Sequence, residues 1–174
     1  MAESRVEWAG EGVFAGYASL FGRTDLGGDT VERGAFGRSL AKRGRSGIRM
    51  LFQHDPKEPI GAWEEMREDA TGLWVRGRLA LGTARGREVL SLFRAGALDG
   101  LSIGFRTVRA EAHRATGLRR ILEADLWEVS VVTFPMVPGA RVSHVKALAG
   151  ADAARLGAAA RAAKHTHQHQ GGKA

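Results

Sequence analysis

The chain has 174 residues, of which 44% are apolar and none is cysteine; that length suits one domain with a sizeable core and an appended tail, and the lack of cysteine excludes a disulfide framework and thiolate chemistry, in keeping with a reducing cytoplasm. The net charge of +7 is unevenly spread: residues 1–140 carry 20 Lys and Arg against 18 Asp and Glu, whereas 141–174 carry 6 against 1. The body is therefore nearly neutral, which argues against a nucleic-acid-binding face there, since such domains carry their basic patch on the folded surface.

The opening Met1–Val6 lacks the apolar run of a signal peptide. No stretch approaches the ~18 apolar residues of a membrane-spanning helix, so no membrane partner is expected. Val13–Phe21 is almost continuously apolar and reads as a first buried strand. Asp25–Asp29 is a turn cluster, Gly34–Leu40 a short helix, and the basic stretch up to Gly47 a loop. Ile48–Gln53 is a strand running into His54-Asp55-Pro56, and Pro59–Met66 and Gly72–Leu81 are two more. Thr83 is placed to cap a helix over roughly 84–95, with Val89, Leu90, Phe93 and, just beyond, Ala97 at helical spacing. Leu101–Phe105 is a strand, as are Leu118–Leu126 and Glu128–Phe134; Pro135 and Pro138 end the pattern. Residues 147–163 read as a weak helix and 164–174 as disordered. The division expected is a domain over 1–147 and a basic, Ala- and Gly-rich tail over 148–174. The fold class expected is mostly β (α+β): a curled, mostly antiparallel sheet or barrel with peripheral helices.

Without cysteine or a metal-type cluster in the body, serine activated by histidine is the natural nucleophile to look for. In Leu101-Ser102-Ile103-Gly104-Phe105 the period of two puts Leu101, Ile103 and Phe105 on a core face and Ser102, Gly104 and Arg106 on the other. Ser102 then faces outward beside a glycine that leaves room for a substrate backbone, or it is simply a serine on a solvent face. His54 ends its strand; Asp55 beside it either orients the imidazole or initiates the turn. Glu128 lies in an otherwise apolar strand, where a carboxylate is costly unless partnered. It would be justified by an imidazole Nδ1 proton, by an arginine, or by an edge facing solvent, and Asp125 is its rival. His165, His167 and His169 alternate in the tail and read as solvated, with no metal site expected.

Four blocks in this order resemble the tailed-phage prohead (capsid maturation) serine protease family, in its gene-transfer-agent or siphophage form. They are Phe14–Phe21 with Asp25, Gly28-Asp29 and Gly34–Phe36; Leu51–Pro56 with Pro59–Gly61; Gly96–Phe105; and Trp127–Pro135. The resemblance spans roughly residues 12–142. It implies a fold similar to herpesvirus assemblin, an antiparallel β-barrel surrounded by helices. It implies a serine endopeptidase acting inside the immature capsid, in the host or bacterial cytoplasm, on the scaffold or the N-terminal extension of the major capsid protein, and on itself. A homo-oligomer is possible, and no cofactor is needed. The family nucleophile falls on Ser102, its histidine on His54 and its third member on Glu128, where the herpesvirus relatives use a second histidine. The rival readings are a catalytically silent capsid-assembly protein with the same fold and a nucleic-acid-binding β-barrel. Against the latter stand the neutral body and the lack of an aromatic stripe among only 12 aromatic residues.

Overall fold

The computed structural model describes residues 11–112 and 116–145. The expected boundary at 147, the weak helix, the tail with its three histidines, and His113 lie outside the described residues. Within them, eight strands form one curled sheet flanked by two helices. The strands are β1 (Val13–Leu20), β2 (Asp29–Val31), β3 (Arg49–Phe52), β4 (Asp55–Glu68), β5 (Gly72–Leu79), β6 (Gly100–Ala112), β7 (Arg119–Val132) and β8 (Val142–Val145). Helix α1 covers Gly37–Arg43 and α2 Ala84–Arg94. The α2 cap is the expected one: Thr83 Oγ1 accepts from the Gly86 N–H at 3.0 Å, and Val89, Leu90 and Phe93 are buried on its inner face.

Five strand pairings are antiparallel, β1 with β5, β1 with β8, β3 with β4, β4 with β5 and β6 with β7. Two are parallel: β2 and β3 both run alongside β7. The sheet is thus mostly antiparallel, as expected, but its centre is mixed. β7 is long enough to carry β6 along one edge and, on the other, β2 near its start (Asp29 opposite Arg119) and β3 near its end (Arg49 opposite Glu128). The two ends of the sheet are drawn together where Gly100 bridges Arg141. There Leu101 N–H donates to Ala140 O at 2.9 Å and Val142 N–H to Asp99 O at 2.8 Å.

The structure corrects three expectations. The strands expected at 118–126 and 128–134 are one strand, interrupted by a bulge. Gly104 faces Glu128 and Phe105 faces Leu126, so Trp127 is the extra residue. The bulge shifts the inside–outside phase: Ala124 and Leu126 point to the core before it, Val129 and Val131 after it. Second, the pattern does not end at Pro138, because β8 follows and pairs with β1; its four residues are only half apolar and too short to announce themselves. Third, His54 does not end a strand. Gln53 and His54 are the two loop residues of the β3–β4 hairpin, whose last paired residues are Phe52 and Asp55. Both have positive φ, 54° and 60°, as two-residue hairpin turns favour.

The core lies inside the curl. Phe14 packs against Trp63 and Phe93 with ring centroids 5.7 and 5.1 Å apart, tying β1, β4 and α2 together. We predict that Phe14→Ala lowers the unfolding free energy by about 3–5 kcal/mol, the usual cost of emptying a buried aromatic site. Urea denaturation measures it, and a loss below about 1 kcal/mol would show that the core does not centre on this ring.

Candidate active site

The β6–β7 ladder sets out the site. Ser102 pairs with Ser130 and Gly104 with Glu128. Directly opposed residues in an antiparallel pair project to the same side, so all four share the face opposite Leu101, Val129 and Val131, which are core residues. On the far edge of β7 the parallel β3 ends level with Ser130 and Val131, and this brings the hairpin loop over that face. Gln53 N–H donates to Val131 O at 2.9 Å. The Gln53 side chain and Thr133 exchange two hydrogen bonds, of 2.7 and 3.3 Å. His54 N–H donates to Ser130 Oγ at 3.1 Å.

These contacts deliver the imidazole to Glu128. The His54 Nδ1–H donates to Glu128 Oε1 at 2.6 Å, and the Ser130 hydroxyl donates to Glu128 Oε2, also at 2.6 Å. An ionised carboxylate only accepts, so Nδ1 carries the proton in this pair and Nε2 is the basic nitrogen. The Glu128 side chain is 13% exposed and the His54 side chain 42%. The carboxylate is largely withdrawn from water while the imidazole remains open to it. Gly104 makes the room: a Cβ there would overlap Glu128 Oε1 and stand 2.8 Å from its Cδ. The space that the sequence assigned to a substrate backbone is taken by this carboxylate.

Of the rival carboxylates, Asp125 is gripped by the Arg43 guanidinium at 2.7 and 2.9 Å and by the Trp127 indole N–H at 2.9 Å. The Arg43 pair, with the indole, holds its carboxyl far below the usual range. Asp55 Oδ1 accepts from the Lys57 N–H at 2.8 Å, which is the turn-initiating alternative.

Ser102 lies on the expected face, but that face is not open to solvent. The residue is 2% exposed, and its Oγ has no hydrogen-bond partner, so it is not bonded to His54. It lines a cavity of about 290 Å³ with Ala18, Ser19, Ile103, Met136 and Val137. The structure thus joins His54 to Glu128 and sets Ser102 across the ladder from Ser130, with the hydroxyl–imidazole bond unmade. Ser130 itself was missed from the sequence. Its signal was present, since Glu128 and Ser130 are two apart on one strand and both are polar between apolar neighbours.

Residues 2–153 match the model of the caudovirus prohead serine proteases. The chain belongs to that family. The prohead protease of Enterobacteria phage HK97 is 34% identical over 159 residues, 88% of this chain and 70% of that protein. The prohead protease of Escherichia phage T5 is 31% identical over 139 residues, 79% of this chain and 64% of that protein. Among solved structures, the bacteriophage T4 capsid assembly protease superposes with a TM-score of 0.58 at 15% identity, over 69% of this chain and 80% of that one. At that identity the likeness is one of fold. KSHV protease aligns more loosely, with a TM-score of 0.48 and 10% identity over 87% of this chain and 76% of that one. As a member of the prohead protease family the chain is a serine-type protease.

In this prohead protease, Gly104→Ala is expected to displace the Glu128 carboxylate from His54 and slow proteolysis by roughly 10²-fold or more with the circular dichroism spectrum retained. Asp125→Asn is expected to leave the rate near wild type. Peptide hydrolysis by the two purified variants checks this; a wild-type rate for Gly104→Ala, or a matching loss for Asp125→Asn, would contradict it.

Proposed function

We propose that this chain is the endopeptidase that cleaves the N-terminal extension of the major capsid protein or the scaffold, and itself, within the immature capsid. Ser102 is the nucleophile, His54 the general base and Glu128 the carboxylate that orients the imidazole. The observation that carries this reading is the 2.6 Å His54–Glu128 bond, which keeps the imidazole proton on Nδ1 and leaves Nε2 as the basic nitrogen. Membership of the prohead protease family supplies the setting, and the names of the HK97 and T5 relatives and the T4 neighbour agree with it.

The chemistry follows from the arrangement. A hydroxyl is a weak nucleophile until a base takes its proton. As substrate seats, Ser102 Oγ swings into hydrogen-bond reach of Nε2, a tightening that unliganded sites often require. Nε2 accepts the Ser102 proton while Oγ adds to the scissile carbonyl carbon. The imidazolium formed is stabilised by Glu128, which stays ionised. The same proton passes to the leaving amine as the carbon–nitrogen bond breaks, giving an acyl-enzyme on Ser102. Water, deprotonated by Nε2, adds to the ester carbonyl, and the returning proton releases Ser102 and the new carboxyl terminus.

A silent assembly protein would have no use for a largely buried carboxylate held by an imidazole in the base-competent tautomer. A nucleic-acid-binding barrel would carry a basic patch on its folded face, yet residues 1–140 are nearly neutral.

Coexpression with the cognate capsid protein, followed by mass spectrometry, tests the proposal. Ser102→Ala and His54→Ala are each expected to abolish processing while the proteins stay folded. On a peptide substrate the double variant is expected to be little worse than either single one, because residues acting as a unit are not additive. Normal capsid processing by Ser102→Ala would overturn the assignment, and losses that multiply would show that His54 does not act through Ser102.

A further inference from the structure

We infer that Ser130 is a positioning residue of this site, one that fixes the base and its carboxylate together; the inference rests on the roles proposed for His54 and Glu128. Ser130 is fully buried in the otherwise apolar run Val129-Ser130-Val131-Val132. A hydroxyl in such a place is unfavourable unless it is bonded. Both of its bonds go to the other two residues: it accepts from the His54 N–H at 3.1 Å and donates to Glu128 Oε2 at 2.6 Å. With the His54 Nδ1–H donating to Glu128 Oε1, the contacts close a ring. It runs from the His54 backbone to Ser130, on to one oxygen of Glu128, and back from the other oxygen to the His54 imidazole.

The ring answers two demands that neither partner meets alone. A carboxylate at the end of a glutamate side chain rotates freely, and a bond to Nδ1 through one oxygen leaves the other oxygen buried and unmatched. Ser130 takes that second oxygen and thereby aims the first. The other demand is the backbone. Gln53 and His54 both hold positive φ, a region that residues with a Cβ adopt only when their surroundings require it. The Ser130 hydroxyl anchors the His54 end of this turn, and the Gln53–Thr133 pair anchors the other. Because both hydrogen bonds of the Ser130 hydroxyl go to His54 and Glu128, its effect passes through them.

Without the hydroxyl the carboxylate is aimed less well at Nδ1, and the transition state, in which the imidazolium forms, is less stabilised.

The experiment compares Ser130→Ala, Ser130→Thr and Ser130→Val in the full chain. Thr and Val are equal in shape at this strand position and differ in the hydroxyl, so crowding affects both alike and the comparison holds even where Ser130→Ala folds poorly. Hydrolysis of a peptide spanning the capsid-protein junction is expected to show kcat reduced roughly 10- to 100-fold in Ala and Val, the range for losing one hydrogen bond to a charged group. KM should stay within about twofold, and Thr should recover most of the rate. In parallel, proton NMR of the inactive Ser102→Ala protein is expected to show a far-downfield His54 Nδ1–H signal that Ser130→Val moves upfield and Ser130→Thr keeps. The NMR arm needs no catalysis, so its loss of signal in a chain that hydrolyses nothing would sink the proposed function and leave the positioning role standing. An unchanged kcat in a folded Val variant, a defect confined to KM, or a signal indifferent to the hydroxyl would each overturn the role given to Ser130.

Discussion

A carboxylate withdrawn from water costs several kcal/mol unless its charge and both its oxygens are met, and the Glu128 side chain is 13% exposed. That constraint organises the site. One oxygen is met by the His54 imidazole and the other by the Ser130 hydroxyl. The space it fills exists because residue 104 has no side chain. Even its direction depends on local geometry: the bulge at Trp127 resets the phase of β7, so Glu128 and Ser130 share the face of Ser102, while Val129 and Val131 enter the core.

The mixed centre of the sheet has the same logic. A histidine early in the chain must meet a carboxylate 74 residues later. The parallel alignment of β3 with β7 sets the hairpin loop at the height of Ser130. A shift of one residue would turn every side chain of β3 to the wrong face. The edge opposite β3 carries β6 and the serine, so one strand, β7, holds the proposed nucleophile strand and the base strand apart at a fixed spacing. Arg43, which binds Asp125 through both oxygens, fastens α1 to the same strand and removes the competing carboxylate from the reach of His54.

Local signals in the sequence were enough for much of this. The Thr83 cap with its helical spacing gave α2, and the alternation about Ser102 gave the correct face, because both follow from neighbouring residues alone. The motif blocks pointed to His54, Ser102 and Glu128, of which the structure joins His54 and Glu128 directly. What escaped depends on residues distant in the chain. Nothing in Arg49–Phe52 says that its partner in parallel is Glu128–Val131. β8 is too short to show a period, and it forms because β1 offers an edge. The break read between Leu126 and Glu128 was a real irregularity, but a bulge and a strand end disturb alternation in the same way. Asp125, Asp55 and Glu128 could not be separated until the positions of Arg43 and Lys57 N–H were known. The burial of Ser102 was hidden for a related reason: the cavity it lines draws residues from distant parts of the chain, among them Ala18, Ser19, Met136 and Val137.

The central claim is that the His54–Glu128 pair activates Ser102. Its most direct test is reaction of the folded protein with a fluorophosphonate, which modifies an activated serine hydroxyl, followed by peptide mapping of the adduct. The account predicts a single adduct on Ser102, formed at a rate that collapses in Glu128→Ala and His54→Ala proteins that keep their fold. An adduct on Ser130 or Ser19, or labelling of Ser102 at an undiminished rate without His54, would contradict it.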